Sequence, residues 1–165
     1  MSSTYRTTEG IVLKKNTHGE NDFWARILTK DFGKQDFKLK GARKISSKLN
    51  PNIDILDFVL ISFVKNGDNP PTVIDSEKIS SNQHWFFDKE KLFLAANIIK
   101  TIDEIIPFEA KDQKFFLLVK NFFSSYSNDG FSFVRSILNH EGYSELSSLP
   151  PTSQDFIMKT WHSKI

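Results

Sequence analysis

The sequence predicts an α+β protein, with a small five-stranded barrel over residues 1–80 followed by a small α-helical bundle over residues 81–165. Three observations predict it. Apolar stretches in the first 80 residues are short and strand-like, and the clearest of them alternates strictly with charged residues. Clusters of Gly, Asn, Asp and Pro separate these stretches and mark turns. From Ser81 the apolar residues recur instead at three- and four-residue spacing, the period of amphipathic helices.

The strands follow in order. Gly10-Ile11-Val12-Leu13-Lys14 is apolar and β-rich, and His18-Gly19-Glu20-Asn21 turns the chain. Phe23 to Thr29 is the second strand, and Asp31-Phe32-Gly33-Lys34 is a second turn. Asp36-Phe37-Lys38-Leu39-Lys40 sends Phe37 and Leu39 to one face and three charges to the other. Gly41 to Pro51 is polar and reads as a loop. Ile55 to Val64 is almost continuously apolar and reads as the central strand. Asn66 to Pro71 must turn, and Thr72 to Ile79 is the fifth strand. Five short strands with a loop between the third and fourth suit an OB-like barrel.

The helices are equally periodic. Leu92, Ala95, Ile99, Ile102 and Ile106 form one stripe, with Glu90, Asn97, Lys100 and Glu104 opposite, and Pro107 ends it. Phe115, Leu118, Val119, Phe122, Phe123 and Tyr126 form a second. A third helix carries Val134, Ile137, Leu138 and Glu141, with Gly142 as its cap. Pro150-Pro151 interrupts the chain, and Thr152 with Asp155 predicts a capping box for a last helix through Phe156, Ile157 and Trp161.

Composition narrows the function. Sixteen of the 22 aromatic residues are Phe, so Phe and Ile build the core. Cysteine is absent, which excludes disulfides, thiolate zinc sites and cysteine nucleophiles in this sequence. With no apolar run long enough for a membrane span and no apolar signal core near Met1, the expectation is a soluble, cytoplasmic protein. The net charge of +2 hides an asymmetry. Residues 1–50 hold eleven Lys/Arg against five acids, a net +6, whereas the rest carries −4. The densest stretch runs from Lys34 to Lys48 with Asp36 as its one acid. Only four of the 22 cations are Arg, so phosphate contact is expected in preference to base reading.

Catalytic signals are sparse. There is no Gly-rich phosphate loop, no H-E-x-x-H and no G-x-S-x-G. His18, His84, His140 and His162 lie far apart, so no local metal-ligand pair forms. His140-Glu141 reads as a helix end and Asp103-Glu104 as a solvated helix face. A binding protein is expected rather than an enzyme, with no cofactor and no metal. A Mg²⁺ nuclease would need an acid cluster beside the basic stretch.

Several segments together resemble the RecO family of bacterial recombination mediators. Thr8-Glu9-Gly10-Ile11-Val12-Leu13-Lys14-Lys15 resembles its first strand, and Gly19-Glu20-Asn21-Asp22 its first turn. Leu28-Thr29 with Phe32-Gly33-Lys34 resembles its second hairpin. Lys40-Gly41-Ala42-Arg43-Lys44 followed by Ser47-Lys48-Leu49 is similar to its basic segment. Leu94-Ala95 through Ile105-Ile106-Pro107 and the turn His140-Glu141-Gly142-Tyr143 are compatible with its helical region. Many members carry a four-cysteine zinc module after that turn. Here Ser-Glu-Leu-Ser-Ser-Leu-Pro-Pro follows Tyr143, so a short form without that module is expected.

The resemblance implies an OB domain followed by a helical domain. It implies binding of single- and double-stranded DNA, engagement of the single-strand-binding protein SSB, cooperation with RecR, loading of RecA, strand annealing and a place at the nucleoid. The candidate DNA-binding residues are Arg26, Lys34, Lys38, Lys40, Arg43, Lys44 and Lys48, with Trp24 as a stacking platform. Tyr5 and Phe37 are further aromatic candidates, although the alternation places Phe37 in the core. Lys120 and Arg135 lie among apolar helical residues and are candidate rim cations for an acidic SSB tail. The alternative is a generic OB-fold adaptor for RNA or DNA with no mediator role.

Overall fold

The computed structural model describes residues 4–161. Five strands form: β1 (Thr4–His18), β2 (Asp22–Thr29), β3 (Gly33–Leu39), β4 (Phe58–Lys65) and β5 (Thr72–Ser80). They pair in the order β1-β2-β3-β5-β4, and β4 returns to β1, which closes the barrel. Neighbours are antiparallel except β3 and β5, which run parallel and meet at Lys38 and Thr72. This is the OB fold.

β1 is longer than its apolar centre because it serves two partners. Thr4–Ile11 pairs with β4 and Gly10–His18 pairs with β2. A register shift between Val12 and Lys14 lets the strand turn from one partner to the other. Val12, Ala25, Ile27, Phe37, Leu39, Ile61 and Phe63 fill the interior. Phe37 meets Phe63 edge to face at 5.1 Å. Each large apolar side chain buried this way contributes about 1.5–3 kcal/mol.

β4 starts at Phe58, not at Ile55. Leu56 is left-handed at φ 66° and its N–H donates to Val12 O at 2.8 Å, so the chain there cannot be extended. The next residue, Asp57, is wholly buried and takes Lys78 Nζ at 2.6 Å. An apolar run therefore includes a turn that its hydrophobicity conceals.

Four helices follow: α1 (Lys89–Ile105), α2 (Gln113–Ser125), α3 (Gly130–His140) and α4 (Pro151–Trp161). Asp88 caps α1 by accepting from the N–H groups of Glu90 and Lys91. Its buried face is Ala95, Ile98, Thr101 and Ile102, rotated from the expected stripe. Leu92 is exposed and Asn97 is buried. The reason is α4, whose Trp161 indole N–H donates to the Thr101 hydroxyl at 3.0 Å. A polar residue thus turns inward, which apolar periodicity does not anticipate. In α2, Phe115, Phe116, Val119, Phe122 and Phe123 are buried.

α3 ends as its glycine predicts. Gly142 sits at φ 85°, Tyr143 N–H donates to Leu138 O and Gly142 N–H to Asn139 O. The expected capping box of α4 does not form, because Thr152 and Asp155 already lie within the helix. Pro151 opens it, at a position where a missing N–H costs nothing. Asp155 pairs with Lys159 at 2.6 Å.

The chain divides into two compact units. One runs to residue 83 and also takes in 108–120. The other comprises 84–107 and continues from 121. Residues 108–120, which the period placed with the helices, therefore count with the barrel. Phe108 bridges to Lys34, and Glu109 N–H donates to Lys34 O at 3.0 Å. Residues 108–110 form a strap across the start of β3. Gly33, at φ 70°, allows this approach, since a Cβ there would stand 2.4 Å from Ala110 O. Among the described residues no helix is long and apolar enough to cross a membrane.

Candidate nucleic-acid interface

Strand register sets out the outer face of the barrel. With Ala25, Ile27, Phe37 and Leu39 pointing inward, Trp24, Arg26, Asp36 and Lys38 point out. Lys14, Arg26 and Asp36 form one cross-strand row, and Asn16, Trp24 and Lys38 form the next. OB folds take oligonucleotides along strands two and three and the loops between strands one and two and four and five. Trp24 is half-buried, with the ring of His18 edge-on at 5.5 Å. Tyr5 is exposed but pairs with Val64 on β4, away from that row. Phe37 is wholly buried and offers no stacking surface.

The cations then separate into two kinds. Arg26 forks onto Asp36, with Nε at 2.7 Å and Nη2 at 2.8 Å, and lies 4.7 Å over the Phe108 ring. Lys34 is only 1% exposed, with its ammonium 4.6 Å from the centre of that ring. This corrects its place in the DNA-binding set. Its strand parity does point outward, but the strap covers it, and the strap comes from more than seventy residues later. Lys38 is one-third exposed and paired with Asp22 at 3.1 Å. Lys40, Arg43, Lys44 and Lys48 are exposed. The ammonium groups of Lys40, Lys44 and Lys48 make no ion pair among the described residues.

Asp22 organises this end of the barrel. One of its oxygens accepts from Gly41 N–H at 2.7 Å and the other faces Lys38. The Gly41 amide first, and the Lys38 ammonium next, hold its carboxyl below the usual carboxylate range. Arg43 donates its N–H to Asn21 O at 3.0 Å and its guanidinium to Gly19 O at 2.7 Å. The basic loop is thereby fastened to the β1–β2 turn. Charge counting did not identify Asp22, an acid inside a basic surface. It also passed over Lys14, exposed beside Arg26, because only the register brings it there. Its neighbour Lys15 is used internally. It donates to Asn50 Oδ1 at 2.9 Å and Ile53 O at 2.7 Å, and burial pushes its ammonium down.

Lys120 and Arg135 belong to different units. Lys120 pairs with Glu9 at 3.0 Å, so its charge is already met within the barrel unit. Arg135 is exposed on α3 and lines a cavity of about 610 Å³ with Leu138, Tyr143, Glu145 and Leu146. Among the described residues no group of three His, Asp or Glu side chains could hold a metal ion, and His162 lies outside them.

Residues 1–82 match the family described as recombination protein O N terminal. The chain is also similar to proteins named DNA repair protein RecO. That of Thermodesulfovibrio yellowstonii is 32% identical over 116 residues, covering 70% of this chain and 46% of the relative. That of a Thermoanaerobacter species is 33% identical over 115 residues, covering 69% and 46%. That of Caldanaerobacter subterraneus is 30% identical over 115 residues, with the same coverage. The matched region thus spans about half the length of these curated relatives.

Proposed function

The chain belongs to the RecO family, and from that premise we propose that it binds DNA in recombinational repair through its OB barrel. The observation that carries this reading is the exposed group Lys40, Arg43, Lys44 and Lys48, fastened beside the Trp24–Lys38 row on the side where OB folds take oligonucleotides. Lysines there hold phosphates as mobile point charges, so affinity falls steeply with salt. Trp24, half-buried on that row, is the candidate on which a base stacks. Arg26 contributes only if Asp36 releases it. The role needs no turnover, cofactor or metal, and its setting is the cytoplasm, at the nucleoid.

The mediator role of the family, with SSB, RecR and RecA, is part of the same proposal. In this chain the Arg135 cavity is the better place for an acidic SSB tail, since Lys120 is paired. A peptide of that chemistry needs an apolar pocket with a cation at its rim. Leu138, Tyr143 and Leu146 supply the apolar part of its wall, while Asn139, Ser144, Ser147 and the acidic Glu145 make up the rest, so the tail would have to seat its carboxylates at Arg135 away from Glu145.

Fluorescence anisotropy tests the interface. Lys40→Ala, Arg43→Ala and Lys44→Ala combined should weaken binding of a labelled single strand by about a hundredfold at low salt. Unchanged affinity with the fold intact would remove the loop from the mechanism. Annealing of complementary strands coated with SSB tests the mediator role, which a mere nucleic-acid binder would fail. A lysine-built surface also suits RNA phosphates, so a generic adaptor is the second reading. Competition between DNA and RNA of matched length separates the two.

A further inference from the structure

The basic loop contains one residue that its charge does not explain. Ile45 is 107% exposed, more than any other large apolar side chain among the described residues. A lone surface aliphatic is ordinary. What distinguishes Ile45 is how it is held and what surrounds it.

The loop is pinned on both sides of it. Gly41 is tied to Asp22, Ala42 is wholly buried in the barrel core, and Arg43 N–H is tied to Asn21 O. Beyond the apex, Ser47 N–H donates to Lys44 O at 2.9 Å, Leu49 N–H donates to Ser47 Oγ at 3.2 Å, and Leu49 packs against the core. These bonds present Ile45 outward instead of folding it onto the barrel. Its neighbours Arg43, Lys44, Ser46 and Lys48 are all exposed. A protein groove deep enough for Ile45 would have to accommodate those cations around it. A polynucleotide has the complementary layout, with anionic phosphates outside and apolar base faces within, about 3.4 Å apart along each strand.

We propose that Ile45 is a wedge that enters a base step while Arg43, Lys44 and Lys48 hold the flanking phosphates. The proposal rests on the DNA-binding reading and adds to it. Charges fix the strand, and the aliphatic branch unstacks it, as small apolar wedges do when they part a base step. The loop should therefore favour steps that open easily, such as pyrimidine–purine steps.

The test uses the full chain and an oligonucleotide with 2-aminopurine at a pyrimidine–purine step, single-stranded and annealed. Binding should raise the 2-aminopurine fluorescence in at least one form. Ile45→Ser should abolish the rise and weaken affinity roughly threefold to tenfold, with the salt slope unchanged because no charge is lost. Ile45→Leu should keep both. A rise and an affinity that Ile45→Ser leaves intact would overturn the wedge alone. So would salt-sensitive binding with no rise. No binding at low salt would overturn the DNA reading itself. If the protein then binds anionic lipid vesicles and loses this with Ile45→Ser, the loop is a lipid anchor and the wedge is wrong.

Discussion

β3 and the loop that follows it are both rich in cations, yet the fold uses them in opposite ways. On the strand, Lys34 is sealed under the strap and Lys38 is paired with Asp22. In the loop, Lys40, Lys44 and Lys48 stay exposed. A strand is flanked on both sides and can be covered, so its outward charges acquire partners from elsewhere in the chain. The loop is fastened through its backbone and Ala42, which leaves its long side chains outside. The cations available to a polyanion are those left over once internal pairs are subtracted.

The sharpest way to break this comparison is inside the strand itself. Phe37→Ala should cost about 3–5 kcal/mol in urea unfolding, because it empties the barrel centre. Adjacent Lys38→Ala should cost less than about 1 kcal/mol, since its pair is partly solvated. Similar losses for both would contradict the inside–outside division of β3. A second measurement is the salt dependence of DNA binding. Lys40→Ala, Lys44→Ala and Lys48→Ala together should lower the slope of log affinity against log salt by about 2.5–3 on duplex DNA. Lys34→Met should leave the slope where it was. If Lys34→Met lowers it by about one, the strap must open on binding.

A smaller effect would turn a strand cation into a loop-like one. Asp36→Asn unfastens Arg26 and should strengthen DNA binding about twofold to threefold at low salt. Weaker binding would mean that the pair positions Arg26 instead of masking it. The smallest effect concerns Asp22. Its folded carboxyl lies below its unfolded range. Its hold on Gly41 is therefore complete at neutral pH, and is lost only as pH falls through the depressed folded value. Protection of the Gly41 amide, its exchange rate relative to an unstructured peptide at the same pH, should persist down to that point in the unaltered protein and be low throughout in Asp22→Ala.

Much of the barrel was legible because alternation is a local signal. Phe37 and Leu39 inward, Lys38 outward, and the turns around Gly19 and Asn66 all follow from short windows. So does the cap at Gly142. What stayed hidden depended on distant partners. The face of α1 turns toward Thr101 because Trp161 meets it sixty residues later. Lys34 is covered by Phe108, and Leu56 breaks an apolar run through a backbone bond to Val12. The basic loop was visible as charge, but its anchor Asp22 and its wedge candidate Ile45 were not, since neither adds to that charge.

The strap over Gly33 also gives the barrel a timetable during synthesis. The fifth strand is complete once Ser80 has been made, but the piece that covers Lys34 lies beyond a detour of residues 84–107. At about 5–20 residues per second, the nascent sheet waits roughly one to several seconds for it. In that interval the start of β3 lacks the cover that residues 108–110 later give to Gly33 and Lys34.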